Sequence, residues 1–213
     1  MNKQTGFTLI ELAIVLVIIG LLLGGVLRGQ ELINSAKVKN MARDFQNVQV
    51  YIYGYQDKFK ALPGDDLHAD THTSGTVATT GGAARGDGVI GGEWDSTTPT
   101  DESALFWQHV RLAGLAAGPT NTADGAYYPL NADGGRIGVQ SVSTMTEITG
   151  MSGAYATCST GILGKFAKQL DTTLDDGETS TGSVRAVLTT TPGAGVTTVN
   201  INDSATYTVC MAF

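Results

Sequence analysis

Positive charge is scarce in this sequence and nowhere concentrated: 13 Lys and Arg stand against 20 Asp and Glu, a formal net charge of -7. No basic cluster occurs beyond Lys37, Lys39 and Arg43. Nucleic-acid binding needs a basic patch that neutralises phosphates, so the acidic balance argues against that role. Proline is rare, 5 residues against 28 glycines, which excludes collagen-like and proline-rich architectures and leaves glycine to make the turns. None of those prolines precedes Pro63. Catalytic signatures are missing as well. No G-x-S-x-G occurs, and nothing orders a Ser, a His and an acid into a triad. Gly86-Asp87-Gly88-Val89-Ile90-Gly91 matches G-x-G-x-x-G, but a Gly/Thr-rich stretch precedes it and Glu93-Trp94-Asp95-Ser96 follows. A dinucleotide site needs that motif between a strand and a helix, so it is read as a turn and the chain as non-enzymatic.

What the sequence does have is one long apolar run. From Phe7 to Leu27 the only charged residue is Glu11. As a helix this stretch is roughly 30 Å long, enough to cross a hydrocarbon core. An ordinary secretory signal is shorter and ends at a small-residue cleavage site, which Gly24-Gly25-Val26-Leu27-Arg28 does not offer. A carboxylate inside such a run is costly and marks a functional position. The count of flanking charges, with Lys3 before the run and Arg28, Lys37, Lys39 and Arg43 after it, would by itself keep the C-terminal part in the cytoplasm.

The opening, Met1-Asn2-Lys3-Gln4-Thr5-Gly6 followed by Phe7-Thr8-Leu9-Ile10-Glu11-Leu12, resembles the cleavage and methylation motif of type IV pilins and type II secretion pseudopilins. The resemblance implies a leader of residues 1–6, cut by a prepilin peptidase between Gly6 and Phe7, with methylation of the new N-terminal Phe7. It implies that Glu11 pairs with the N-terminal amine of an adjacent subunit and sets the register of assembly. The partners it implies are other pilin or pseudopilin subunits, the peptidase and an inner-membrane assembly machinery. The expected location is a single pass through the bacterial inner membrane with the head in the periplasm, then a filament that reaches the cell surface in the pilus version. Many pilins of long retractile fibres carry a proline mid-helix. Its absence here shifts weight modestly toward a pseudopilin or minor subunit, with Gly20, Gly24, Gly25 and Gly29 as sites that would loosen the helix instead. The competing reading is a signal-anchored periplasmic binding module that never polymerises.

The rest of the chain predicts an α+β fold, a long N-terminal helix packed on a mainly antiparallel sheet. The helix is expected over 7–62, with 7–27 transmembrane, because Val38, Met41, Phe45, Val48, Ile52, Tyr55 and Phe59 form one apolar stripe up to Pro63-Gly64. A head is expected over 63–213, with a Thr/Gly-rich loop at 71–92. Further helices are expected over 101–113 and 161–174, and strands over 136–143, 183–189, 197–202 and 206–212.

Cys158 and Cys210 fit either one disulfide in an oxidising compartment or two buried free thiols, and the resemblance implies the first. A disulfide would place the head outside the cytoplasm, against the charge count. Asp171, Asp175 and Asp176, with Glu178 and Gly177 beside them, admit calcium, as does the Gly86-Asp87-Gly88 turn; neither has EF-hand spacing, and solvated acids at a helix end are the plainer alternative. No cofactor is otherwise implied. His68 and His72, four apart, share a face if helical, as transition-metal ligands do, whereas His109 among Phe106, Trp107 and Leu112 reads as structural.

Overall fold

The computed structural model describes residues 8–81, 85–191, 193 and 195–213. The described chain separates into two compact units, one up to Lys37 and one from Val38 onward. A single helix, α1 (Leu9–Phe59, 51 residues), runs through both. It is unbroken at Gly20, Gly24, Gly25 and Gly29, where no neighbouring atom lies near the position of an added Cβ. In the first unit the apolar side chains are exposed all round, as with Leu9 at 89% and Leu27 at 66%. In the second unit burial is one-sided. Val38, Met41, Phe45, Val48, Ile52 and Tyr55 are buried, and Ala42 with them, while Lys39, Asn40, Arg43, Gln46 and Asn47 remain exposed. That is the expected stripe at helical spacing.

The stripe packs on an α+β head. Four strands, β1 (Ile137–Ser141), β2 (Tyr155–Leu163), β3 (Val184–Leu188) and β4 (Thr206–Ala212), form one antiparallel sheet in the order β1-β2-β4-β3. Three helices accompany them: the single turn α2 (Ala69–His72), α3 (Glu102–Leu112) and α4 (Gly164–Leu174). The register places Val139, Thr157, Met211 and Val184 in one row across the sheet, on the face toward α1. Along α1 the stripe serves two cores in succession. Phe45 joins Phe166 and Leu170 of α4 with Val209 of β4. Val48 and Ile52 join Phe106 and Val110 of α3 with Val139 of β1.

The next row, Gly138, Cys158, Cys210 and Arg185, faces the other way. Cys158 and Cys210 are directly opposite one another and disulfide-bonded, with a sequence separation of 52. Closing a loop of that size stabilises the fold by about 4 kcal/mol in the chain-entropy account. Both cysteines are fully buried beneath Trp94, Ile148 and Val187, so the bond ties the two central strands inside a third apolar cluster. Gly138 makes this cover possible. A Cβ there would lie 1.8 Å from the Trp94 carbonyl oxygen, so any side chain expels the segment that roofs the disulfide.

Several expected elements shift. Helix α1 ends at Phe59 rather than 62, because Lys60 takes a left-handed conformation (φ 56°) and the chain turns into a buried bend through Pro63 and Gly64. Position 7, the expected start, lies outside the described residues. The expected strand over 197–202 is a 3-10 turn at Thr198–Asn200, with Val199 exposed at 88%. Its polar groups are satisfied by Glu178, whose Oε1 accepts from the Thr198 amide, and by the Gly177 carbonyl, which accepts from the Thr198 hydroxyl. No partner strand is needed. The helix expected from Gly161 starts at Gly164, because Gly161–Leu163 end β2, a strand the sequence pattern does not announce. The loop expected over 71–92 begins later, since α2 takes up Ala69–His72, and its residues 82–84 lie outside the described residues.

The contrast within α1 is testable by chemical denaturation of the head. Ile52→Ala should cost about 2–5 kcal/mol, since it leaves a cavity between two elements. Val50→Ala, two residues away and 63% exposed, should stay within about 0.5 kcal/mol. Equal losses would mean the stripe is not what α1 packs with.

Candidate functional site

The N-terminal candidate site is built on the first turn of α1. Thr8 precedes the helix, and its backbone amide and its hydroxyl both donate to Glu11 Oε2 at 2.8 Å. The Glu11 amide donates in return to Thr8 Oγ1 at 3.3 Å. This reciprocal T-x-x-E arrangement satisfies amides that no earlier turn of helix can reach. It also holds the Glu11 carboxylate at the positive end of the helix, where a negative charge is favoured. Glu11 is exposed, in a stretch of exposed apolar side chains long and apolar enough to cross a membrane. Gly6 and Phe7, the expected processing positions, lie outside the described residues. The signature of the reciprocal arrangement in the sequence is the T-x-x-E spacing of Thr8 and Glu11.

In the head, the acids expected to hold calcium point into the protein backbone. Asp171 is buried and its Oδ1 accepts from Gly177 N at 2.6 Å. Asp175 Oδ2 accepts from Ser183 N at 2.6 Å and Val184 N at 2.9 Å, which fastens the start of β3. Asp176 Oδ1 accepts from Glu178 N at 2.9 Å. Among the described residues, no group of three or more His, Cys, Asp or Glu side chains is placed to hold a metal ion.

A second set of acids sits where α1 turns into the head. Asp65 accepts from the amides of Gly86 and, at 2.8 Å, Gly88, and so holds the Gly86-Asp87-Gly88 turn. Both glycines have positive φ, 74° and 85°, as that turn requires. Asp66 accepts from the Tyr55 hydroxyl at 2.8 Å, from His68 N at 2.8 Å and from His72 Nδ1 at 2.7 Å. Glu102, at the start of α3, is fully buried and accepts from Gly91 N at 2.7 Å through Oε2, while Oε1 has no hydrogen bond. His109 is buried as expected. Its Nδ1 accepts from Gly64 N at 2.9 Å, so its Nε2 carries the proton and donates to Thr76 O at 2.8 Å. Gly64 allows that approach: its φ is 95°, and a Cβ there would meet Glu102 O at 2.3 Å. Beside this bend a cleft of about 400 Å³ opens, lined among others by Phe59, Lys60, Asp65, Asp66, His68 and His72.

Burial sets the titration of these groups. It raises the Glu102 carboxyl to about 7, with the charges of Asp65 and Asp87 adding to the effect. It raises Asp171 to about 6. It lowers His109, whose charged form would also lose the Gly64 hydrogen bond. Sequence places Asp65 and Asp66 only in the stretch around His68 and His72 and does not point to Glu102, because what distinguishes these acids is burial.

Compared with known proteins, the chain gives one result. No curated protein and no solved structure matches it. A family model described as the prokaryotic N-terminal methylation motif does match, over residues 1–27.

The buried carboxyls make a pH prediction. A raised folded-state pKa contributes stability that is present at low pH and is lost as pH rises from about 4.5 through about 7 for Glu102. His109 acts in the opposite sense, since its lowered pKa costs stability as pH falls below its ordinary value of 6.5. Glu102→Gln keeps an acceptor for Gly91 and cannot ionise. In thermal unfolding across pH 5 to 8, the variant should lose less stability toward the alkaline end than the unaltered chain. An unchanged pH slope would show that Glu102 does not titrate in that range.

Residues 1–27 thus carry the type IV prepilin-like methylation motif, and it runs into an exposed apolar helix whose first turn holds the Glu11 carboxylate.

Proposed function

We propose that this protein is a structural, non-enzymatic subunit of a type IV pilus or type II secretion pseudopilus. In this reading, prepilin peptidase removes residues 1–6 and the mature chain begins at a methylated Phe7. The chain waits in the bacterial inner membrane through residues 7–27, with residues 63–213 as a periplasmic head, and then assembles by packing α1 against other subunits. Glu11 pairs with the N-terminal amine of a neighbouring subunit, and the head governs lateral contacts.

The observation that carries the reading is the methylation motif over residues 1–27, continuous with a helix whose apolar side chains are exposed on every side. Such a surface needs lipid or other helices around it. The disulfide supports a head outside the reducing cytoplasm, against the count of flanking charges. A helix unbroken from Leu9 to Phe59 and lacking proline favours the pseudopilus version. In the assembled state the carboxylate that Thr8 holds in the single chain exchanges that partner for a charged amine, a stronger hydrogen-bond donor.

Glu11→Ala in the native host separates this function from that of a membrane-anchored module. Assembly into filaments, followed by shearing or by cross-linking in the envelope, should fall at least tenfold while membrane insertion, the disulfide and the head's thermal midpoint stay unchanged. Normal assembly of the variant would remove Glu11 from the mechanism. No assembly by the unaltered chain would favour the anchored module.

A further inference from the structure

The cleft beside the α1–head bend contains two imidazoles that filament assembly does not use. His68 and His72 flank the one-turn helix α2, with ring centroids 5.9 Å apart. His72 is fixed from two directions. Its Nδ1 sits 2.7 Å from the buried Asp66 carboxylate, and its ring stacks on Phe59 at 5.1 Å with an interplanar angle of 18°. Asp66 is itself held by the Tyr55 hydroxyl and the His68 amide, so it cannot turn away. It accepts through both of its oxygens, and the His72 imidazole is a third donor to it. The Nδ1 of His72 therefore carries the proton, and its Nε2 presents a lone pair. A carboxylate behind the far nitrogen of an imidazole is the arrangement that orients histidine ligands in metal sites.

We propose that His68 and His72 bind a divalent transition-metal ion through their imidazole nitrogens, with Asp66 as the positioning residue for His72 and water at the remaining positions. The spacing fits. With metal–nitrogen bonds of about 2.0–2.1 Å, two imidazoles on one tetrahedral ion have ring centroids roughly 5 Å apart. His68 is exposed and has only to rotate to close the difference from 5.9 Å. The charge in the cleft also suits a cation. Asp65 and Asp66 line it, and its one ammonium, Lys60, bonds away to the Asp57 carbonyl and carboxylate at 2.7 and 3.3 Å. Imidazole donors select copper, nickel and zinc over calcium and magnesium, so this site differs in kind from the acidic turn after α4. Two protein ligands without a third leave open positions toward solvent, which predicts a labile ion rather than a permanently held structural one.

The test uses the tag-free full chain in detergent micelles, stripped with a chelator, so it is independent of processing and assembly. Copper(II) at one equivalent should give a paramagnetic resonance spectrum with hyperfine splitting from two imidazole nitrogens, and zinc should bind at one ion per chain and be displaced by copper. His68→Ala and His72→Ala should each weaken zinc binding at least tenfold in calorimetry, and Asp66→Asn by about 10–100-fold. His68 is exposed and its side chain makes no hydrogen bond that stabilises the bend, so that variant keeps its fold and carries the test. Unchanged zinc affinity in His68→Ala, or a copper spectrum with one imidazole nitrogen or none, would overturn the proposal.

Discussion

Helix α1 has to satisfy two environments with one continuous backbone, and the rest of the structure follows from how it does so. Up to Leu27 its side chains are apolar around the whole circumference apart from Glu11, and they are exposed. From Val38 to Tyr55 apolar residues recur only at spacings of three and four, so one face packs and the other stays in water. The change of pattern is the boundary between the two compact units. The carboxylate of Glu11 is the single charge in the first pattern, and the helix binds it at its own N-terminus through Thr8. A charge that is costly in an apolar segment is thereby kept hydrogen-bonded.

At the other end, α1 must stop sharply, and the acids after Pro63 organise the stop. Asp65 gathers the Gly86-Gly88 turn, Asp66 gathers Tyr55, His68 and His72, and His109 reaches from α3 to the Gly64 amide. The Asp65 and His109 bonds link segments distant in sequence, and those of Asp66 tie the bend to Tyr55 in the last turns of α1. The energetic cost is a set of carboxyls taken out of water, visible in the raised Asp65 and Glu102. At the sheet, the Cys158–Cys210 bond does the equivalent work covalently between the two central strands.

The parts of this architecture with a periodic or local signature were legible in the sequence. The α1 stripe, α3, and the strands β1, β3 and β4 fell where apolar spacing placed them, and the two cysteines met as the resemblance implied. Strand β2 did not, because it is central and buried on both faces, and its Ala156, Thr157, Cys158 and Ser159 are small residues without the large apolar and aromatic side chains that mark a strand. The segment at 197–202 alternated like a strand, yet the Thr198 amide and hydroxyl bond to the Glu178 carboxylate and the Gly177 carbonyl instead of to a neighbouring strand. At the candidate sites the difference is burial. Glu11 stood out because a charge in an apolar run is anomalous in sequence, whereas Asp65, Asp66 and Glu102 became exceptional only once the fold closed over them.

The central claim is that the N-terminus of this chain is processed as a prepilin, and intact-mass spectrometry of the protein from its native host tests it most directly. The account predicts a mature chain that begins at N-methylated Phe7, in sheared surface filaments for a pilus or confined to the membrane fraction for a pseudopilus. A chain that still carries Met1 to Gly6, in a host with an active prepilin peptidase, would contradict it.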